Sequence, residues 1–201
     1  MKTFNNDIEK LRKVRELLIT VDMVNGFVKE GPLAAPSIMR IVPRQIELLE
    51  EASNDKNTGL IFIRDSHSED ATEFKTYPAH CIRGTYETEI IDELKKYEKY
   101  GVSYFKNSTN FMFAPGIQQD LLKLYNLEKV RLIGCLSREC ILNGGISTKT
   151  FFDQINRDVE VSVHSDAIDT FDAPGHNADE ITNNAIEIMR ENGIKILGKR
   201  K

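Results

Sequence analysis

The chain has 201 residues, 40% of them hydrophobic and 29% charged, with a formal net charge of −4. A chain of this size and balance can bury roughly 70% of the surface its unfolded form exposes, so it needs no disulfide staples. The weakly acidic, mixed-sign charge argues against a nucleic-acid partner, which needs a concentrated basic patch. No window reaches the roughly 18 uninterrupted apolar residues of a membrane span.

Taken in chain order, the N-terminal segment MKTFNNDIEKLRKVRE has no apolar stretch of signal-peptide type. The three cysteines, Cys81, Cys135 and Cys140, are too few and too odd in number for a disulfide framework, so a reducing, cytoplasmic setting is expected. Short apolar runs then alternate with amphipathic stretches. Strands are predicted at Leu17 to Val21, Leu60 to Ile63, Val102 to Phe105, Val130 to Ile133, Val159 to Val163 and Ile194 to Leu197. Each is apolar nearly throughout, as parallel strands covered on both faces must be. Helices are predicted from Ser37, as a cap, toward Ala52 with Pro43 inside, and at Thr88 to Tyr100, Ile117 to Tyr125, Glu139 to Asn156 and Ala178 to Glu191. The alternation predicts an α/β fold: a three-layer αβα, Rossmann-like open sheet of about six mainly parallel strands in a single domain over residues 1–201. The basic Lys199-Arg200-Lys201 end reads as a solvated tail. Two stretches lack a pattern, Asn25 to Pro36 and Asp65 to Glu87, and long patternless segments in a compact domain are usually binding loops.

In open parallel sheets ligands gather beyond the carboxyl ends of the strands. Reactive residues of this chain fall there: Asp22 after the first predicted strand, Asp65 and His67 after the second, Lys106 after the third and Cys140 just beyond the fourth. Asp65, His67, Glu73 and His80 offer imidazoles and carboxylates suited to Zn²⁺, Mn²⁺ or Fe²⁺. Glu69 and Asp70 compete for the same role, and ordinary polar loop residues are the plain alternative. A cysteine at a helix start is placed for thiolate chemistry, since unpaired N–H groups and the helix dipole stabilise an anion. A small buried hydrophobe is its alternative. Asp22 reads as a general base or a loop-capping carboxylate; Lys106 as a charge-holding partner or a surface lysine. His164 and His176 are expected to be structural.

These motifs resemble the nicotinamidases among the isochorismatase-like cysteine hydrolases, from Leu17 to about Leu197. The matching segments are Val21-Asp22-Met23-Val24-Asn25-Gly26-Phe27, then Asp65-Ser66-His67 with Glu73 to Cys81 and Gly84-Thr85, then Phe105 to Phe111, then Gly134 to Ile141. The resemblance implies an Asp22, Lys106, Cys140 triad and a divalent metal ion held by Asp65, His67, Glu73 and His80. It also implies an oxyanion site at the backbone N–H groups of Leu136 and Cys140, with a cis peptide at Cys135-Leu136. Phe27 and Tyr77 match positions that flank a nicotinamide ring. The implied reaction is hydrolysis of nicotinamide to nicotinate and ammonia through a cysteine thioester, in NAD salvage, by a protein with no nucleic-acid or membrane partner that can form homo-oligomers. The alternatives are a related amidase or carbamoyl hydrolase and a noncatalytic metal- or small-molecule-binding module. Isochorismate cleavage is disfavoured because vinyl-ether chemistry does not require the cysteine. Two departures stand out. Val24 replaces a common Gln, and Ser137-Arg138-Glu139-Cys140 replaces Thr-Asp-x-Cys, which changes the charge beside the thiol and bears on substrate preference.

Overall fold

Six apolar runs hydrogen-bond side by side into one parallel sheet in the computed structural model, which describes residues 8–200. The strands are β1 (Glu16–Val21), β2 (Thr58–Asp65), β3 (Gly101–Lys106), β4 (Lys129–Cys135), β5 (Glu160–Asp169) and β6 (Lys195–Leu197). Their spatial order is β3-β2-β1-β4-β5-β6. The chain builds outward from β1 in one direction and then, from β4, in the other. The carboxyl ends of β1 and β4 therefore flank the switch point where a parallel sheet opens a crevice.

Side chains of one strand alternate between faces, and the core divides accordingly. Leu17, Ile19 and Val21 of β1 join one apolar cluster with residues of α4 (Ile117–Lys123), α5 (Leu142–Gln154) and α6 (Ala178–Glu191). Leu18 between them joins a second cluster with Leu48, Leu49 and Ala52 of α2 (Val42–Asn54) and with Leu94 of the short α3 (Asp92–Lys95). Helices thus cover both faces of the sheet, which explains why the strands are apolar almost without a break. A four-residue helix, α1 (Asn25–Val28), follows β1.

Register brings the strand ends level. Val21 pairs with both Ile63 and Gly134, and Asp65 pairs with Lys106. Gly134 (φ +126°) has no room for a side chain, because a Cβ there would lie 2.0 Å from the Val21 carbonyl oxygen. Only glycine lets β4 press this closely on β1.

Several expectations need correction. Ser37 caps nothing: Ala35 is the N-cap of a 3₁₀ helix at Pro36–Ile41. The α-helix starts only at Val42, with Pro43 in its first turn, where a missing N–H costs nothing. The predicted helix at Thr88 to Tyr100 is reduced to α3 between 3₁₀ turns at Tyr86–Thr88 and Glu98–Tyr100. The reason is tertiary: Ile90 bridges Val24, and the Ile91 N–H donates to the Met23 carbonyl at 3.1 Å, which holds the backbone extended. β5 runs to Asp169, well past Val163, because its polar end is satisfied. Buried Asp169 accepts from Arg40 and Arg200, each at 2.9 Å. Arg200 is therefore an anchor rather than part of a solvated tail, also donating to Asp179 at 2.6 Å. Lys201 and residues 1–7 lie outside the described residues. No helix among the described residues is long and apolar enough to cross a membrane.

Candidate active site

β1 ends at Asp22, which turns the chain through a left-handed conformation (φ 53°) that Asp tolerates better than most residues. β2 and β3 end side by side in Asp65 and Lys106. The Lys106 ammonium lies between two carboxylates, 2.9 Å from Asp22 Oδ2 and 2.8 Å from Asp65 Oδ1. All three side chains are at most 2% exposed. Neither Asp22 oxygen has a well-aligned hydrogen bond, so charge rather than directed donors holds this carboxyl. Cys140, also buried, interacts directly with Asp22, and each shifts the titration of the other.

Burial sets the charges. It pushes the Asp22 carboxyl up to about 6, against the pull of Lys106 and with the push of Asp65. Burial acts on Asp65 in the same direction, but Lys106 and the two neighbouring imidazoles outweigh it and hold that carboxyl below its ordinary value. Lys106 is raised, its two carboxylates overcoming desolvation. Burial raises the Cys140 thiol well above its ordinary value, with Lys106 opposing and Asp22 and Asp65 adding to it. A thiolate-stabilising helix start is therefore not what governs this cysteine. It sits in a π-helical turn at Ser137–Ile141 ahead of α5, and desolvation dominates. The group is a buried thiol, and Asp22 is beside it. The expected cis peptide is present at Cys135-Leu136.

Asp65, His67 and His80 are buried with their ligand atoms within 4.8 Å of one another. The His67 and His80 Nε2 atoms lie 3.0 and 3.3 Å from Asp65 Oδ2. Each ring is fixed from behind: His67 Nδ1 by Asn107 Oδ1 at 3.1 Å, His80 Nδ1 by the Pro78 carbonyl at 2.8 Å. This is how metal-binding imidazoles are oriented. His67 Nε2 has no aligned partner despite complete burial, an orphaned atom that a cation would satisfy. The donor set, two imidazoles and a carboxylate, fits a borderline divalent ion. Glu73 is not in this tight group; it stands half-buried on the wall of the same cavity, and Glu69 and Asp70 do not line that cavity. His80→Ala should lower the divalent metal retained after dialysis, measured by mass spectrometry, by at least about tenfold. Unchanged stoichiometry would remove His80 as a ligand.

The cavity encloses about 690 Å³ and reaches Asp65, Glu73, Tyr77, His80 and Cys140. Phe27 lines it too, though nearly buried, with its ring 5.5 Å from that of His80. Residues that the sequence reading left without a role complete the site. Phe74 packs edge-on against both imidazoles, at 5.3 and 5.7 Å. Asn107 fixes His67, and its only signal in the sequence was its place directly after Lys106. His176, expected to be structural, lines the cavity on the ring of Phe171, stacked at 3.8 Å. Arg138 and Glu139 line it as well. His164 lies in β5, where burial and Arg131 lower its pKa to about 4. Cys81 and Cys135 are buried with raised thiol pKa values, and the Cys135 thiol donates to the Asp22 carbonyl at 3.1 Å.

Known proteins share the fold that carries this site. The chain is 28% identical to Nicotinamidase 1 of Arabidopsis thaliana over 183 residues, covering 82% of this chain and 73% of that one. The zinc-complexed pyrazinamidase of Pyrococcus horikoshii superposes with a TM-score of 0.73 at 23% identity, covering 92% and 99% of the two chains. N-carbamoylsarcosine amidase of Thermoplasma acidophilum superposes at 0.72 with 22% identity, covering 92% and 96%. At such identities the two structures establish a shared fold. The isochorismatase domain matches residues 16–198, and by that match, which spans most of its length, the chain belongs to the isochorismatase family.

Proposed function

We propose that the protein hydrolyses nicotinamide to nicotinate and ammonia through a thioester on Cys140, a reaction of NAD salvage. The observation that carries this reading is the buried Asp22–Lys106–Asp65 array beside the Cys140 thiol, opening on a cavity with aromatic walls. Asp22 takes the thiol proton while Lys106 stays charged and offsets the anion formed. The sulfur attacks the carboxamide carbon, and the developing oxyanion is met by the backbone N–H groups of Leu136 and Cys140. Asp22 returns the proton to the departing nitrogen, so ammonia leaves and an acyl-sulfur bond remains. Asp22 then takes a proton from water, whose oxygen attacks the thioester carbon. Nicotinate is released and the thiol is restored. Phe27 and Tyr77 flank the ring. A divalent ion held by Asp65, His67 and His80, with Glu73 nearby, would supply a Lewis-acid anchor for the pyridine nitrogen.

Asp22 must be ionised to act, so reactivity should be lost as pH falls through its pKa. In metal-free protein the alkylation rate of Cys140 should drop through about pH 6, and Asp22→Asn should remove that limb and suppress alkylation at neutral pH. Rapid alkylation of the variant at neutral pH would exclude Asp22 as the base. Rapid acid quench during turnover, followed by mass spectrometry, should find a nicotinoyl adduct on Cys140. Its absence under conditions where nicotinate forms would overturn the thioester route.

A second reading, a sister amidase acting on a larger amide, is favoured by two observations. The cavity, at about 690 Å³, is roomy for a single pyridine ring, and Arg138 and Glu139 bring charge to its wall. Ammonia release from a panel of small amides separates the two readings.

A further inference from the structure

The proposed reaction leaves Glu139 of the cavity wall without a task. Glu139 directly precedes Cys140 and lines the cavity, and its Oε2 is shielded from solvent with no hydrogen-bond partner. A buried acceptor is costly to leave unpaired. Its neighbours do not supply the missing donor. His176 donates its Nδ1 proton to the Phe171 carbonyl at 2.9 Å and is held flat on the Phe171 ring. Arg138 is exposed. Burial raises the Glu139 carboxyl above its ordinary value, with the nearby His176 and Arg138 opposing the shift.

Position in the fold assigns a direction. Asp65, His67 and His80 lie at the β2 side of Asp22, whereas Glu139 and Cys140 follow β4 on its other side. A ligand that spans the two sides meets imidazoles at one end and an unpaired acceptor at the other. We infer that Glu139 is a specificity-determining residue that accepts a hydrogen bond from an N–H donor on the substrate ring, remote from the imidazoles, so that amino-substituted aromatic carboxamides are preferred over the bare ring. This rests on the amidase reading of the site, and it extends that reading from nicotinamide to a class.

The test measures equilibrium binding by calorimetry, using the metal-loaded Cys140→Ala protein so that ligands are not consumed. The ligands are nicotinamides carrying an amino group at C4 or C5, the carbons away from the ring nitrogen, each beside its methyl counterpart as a size control. At least one amino ligand should bind about tenfold or more tightly than its methyl partner, the effect of one hydrogen bond to a charged group. Adding Glu139→Ala should bring that ratio close to one. Adding Glu139→Gln, which keeps an acceptor and the side-chain volume, should leave a ratio between the two. Equal binding of amino and methyl ligands, or a preference that survives Glu139→Ala, would overturn the inference. Nicotinamide turnover by the unmodified protein is a separate measurement. Its failure alongside a Glu139-dependent preference would remove nicotinamide as substrate and leave the role of Glu139 standing.

Discussion

Lys106→Met should destabilise the fold by about 3–5 kcal/mol at neutral pH and abolish turnover, because removing one partner of a buried ion pair strands the other. Here two carboxylates would be stranded. Asp22 and Asp65 share the Lys106 ammonium at 2.9 and 2.8 Å with almost no solvent contact. Methionine fills nearly the same volume, so packing loss adds little and the result reads as electrostatics. The sign of the pH dependence follows. Asp22 is already raised from 3.8 to about 6 with the lysine present, and without it the carboxyl rises further. A folded-state pKa above the unfolded value means that protonation favours the fold. The penalty of the variant should therefore grow as pH rises through 6 and beyond, and part of it should persist below about pH 4, because the same lysine holds Asp65 below its ordinary value. Urea denaturation of metal-free protein at several pH values measures this. A loss under about 1 kcal/mol, or one that does not change with pH, would show that the lysine does not neutralise the pair.

Cys140→Ala should lower turnover by on the order of 10³-fold or more, the scale on which a lost nucleophile is felt. Stability should change little, by about 1 kcal/mol, since the substitution removes one sulfur atom from the edge of a packed cluster. Ammonia release and thermal unfolding report the two effects separately. Appreciable residual turnover in a folded variant would remove Cys140 as the nucleophile.

These expectations locate what the sequence made legible. Strands read easily because both sheet faces are covered, so β1 to β4 appear as nearly pure apolar runs. Residues at their carboxyl ends then fall together by topology, and this is why Asp22, Asp65, His67, Lys106 and Cys140 could be named before any geometry was known. What stayed hidden depends on tertiary partners. Ile90 and Ile91 sit in a helical pattern, yet Val24 and Met23 pull them into an extended path. The polar end of β5 looks unlike a strand until Arg40 and Arg200 are seen to neutralise Asp169. His176 and Phe171 reach the cavity through a loop between β5 and α6, with no periodicity to signal it. The thiol offers the sharpest contrast. Position near a helix start suggests an acidic cysteine, whereas burial makes it a weak acid.

The most direct test of the proposed function is ammonia release from nicotinamide by the purified protein, with and without a chelator and a thiol-alkylating reagent. Release matched by nicotinate, abolished by alkylation of Cys140 and reduced by chelation is the predicted result. No release from nicotinamide, in protein that still binds metal and still carries an alkylatable Cys140, would contradict it.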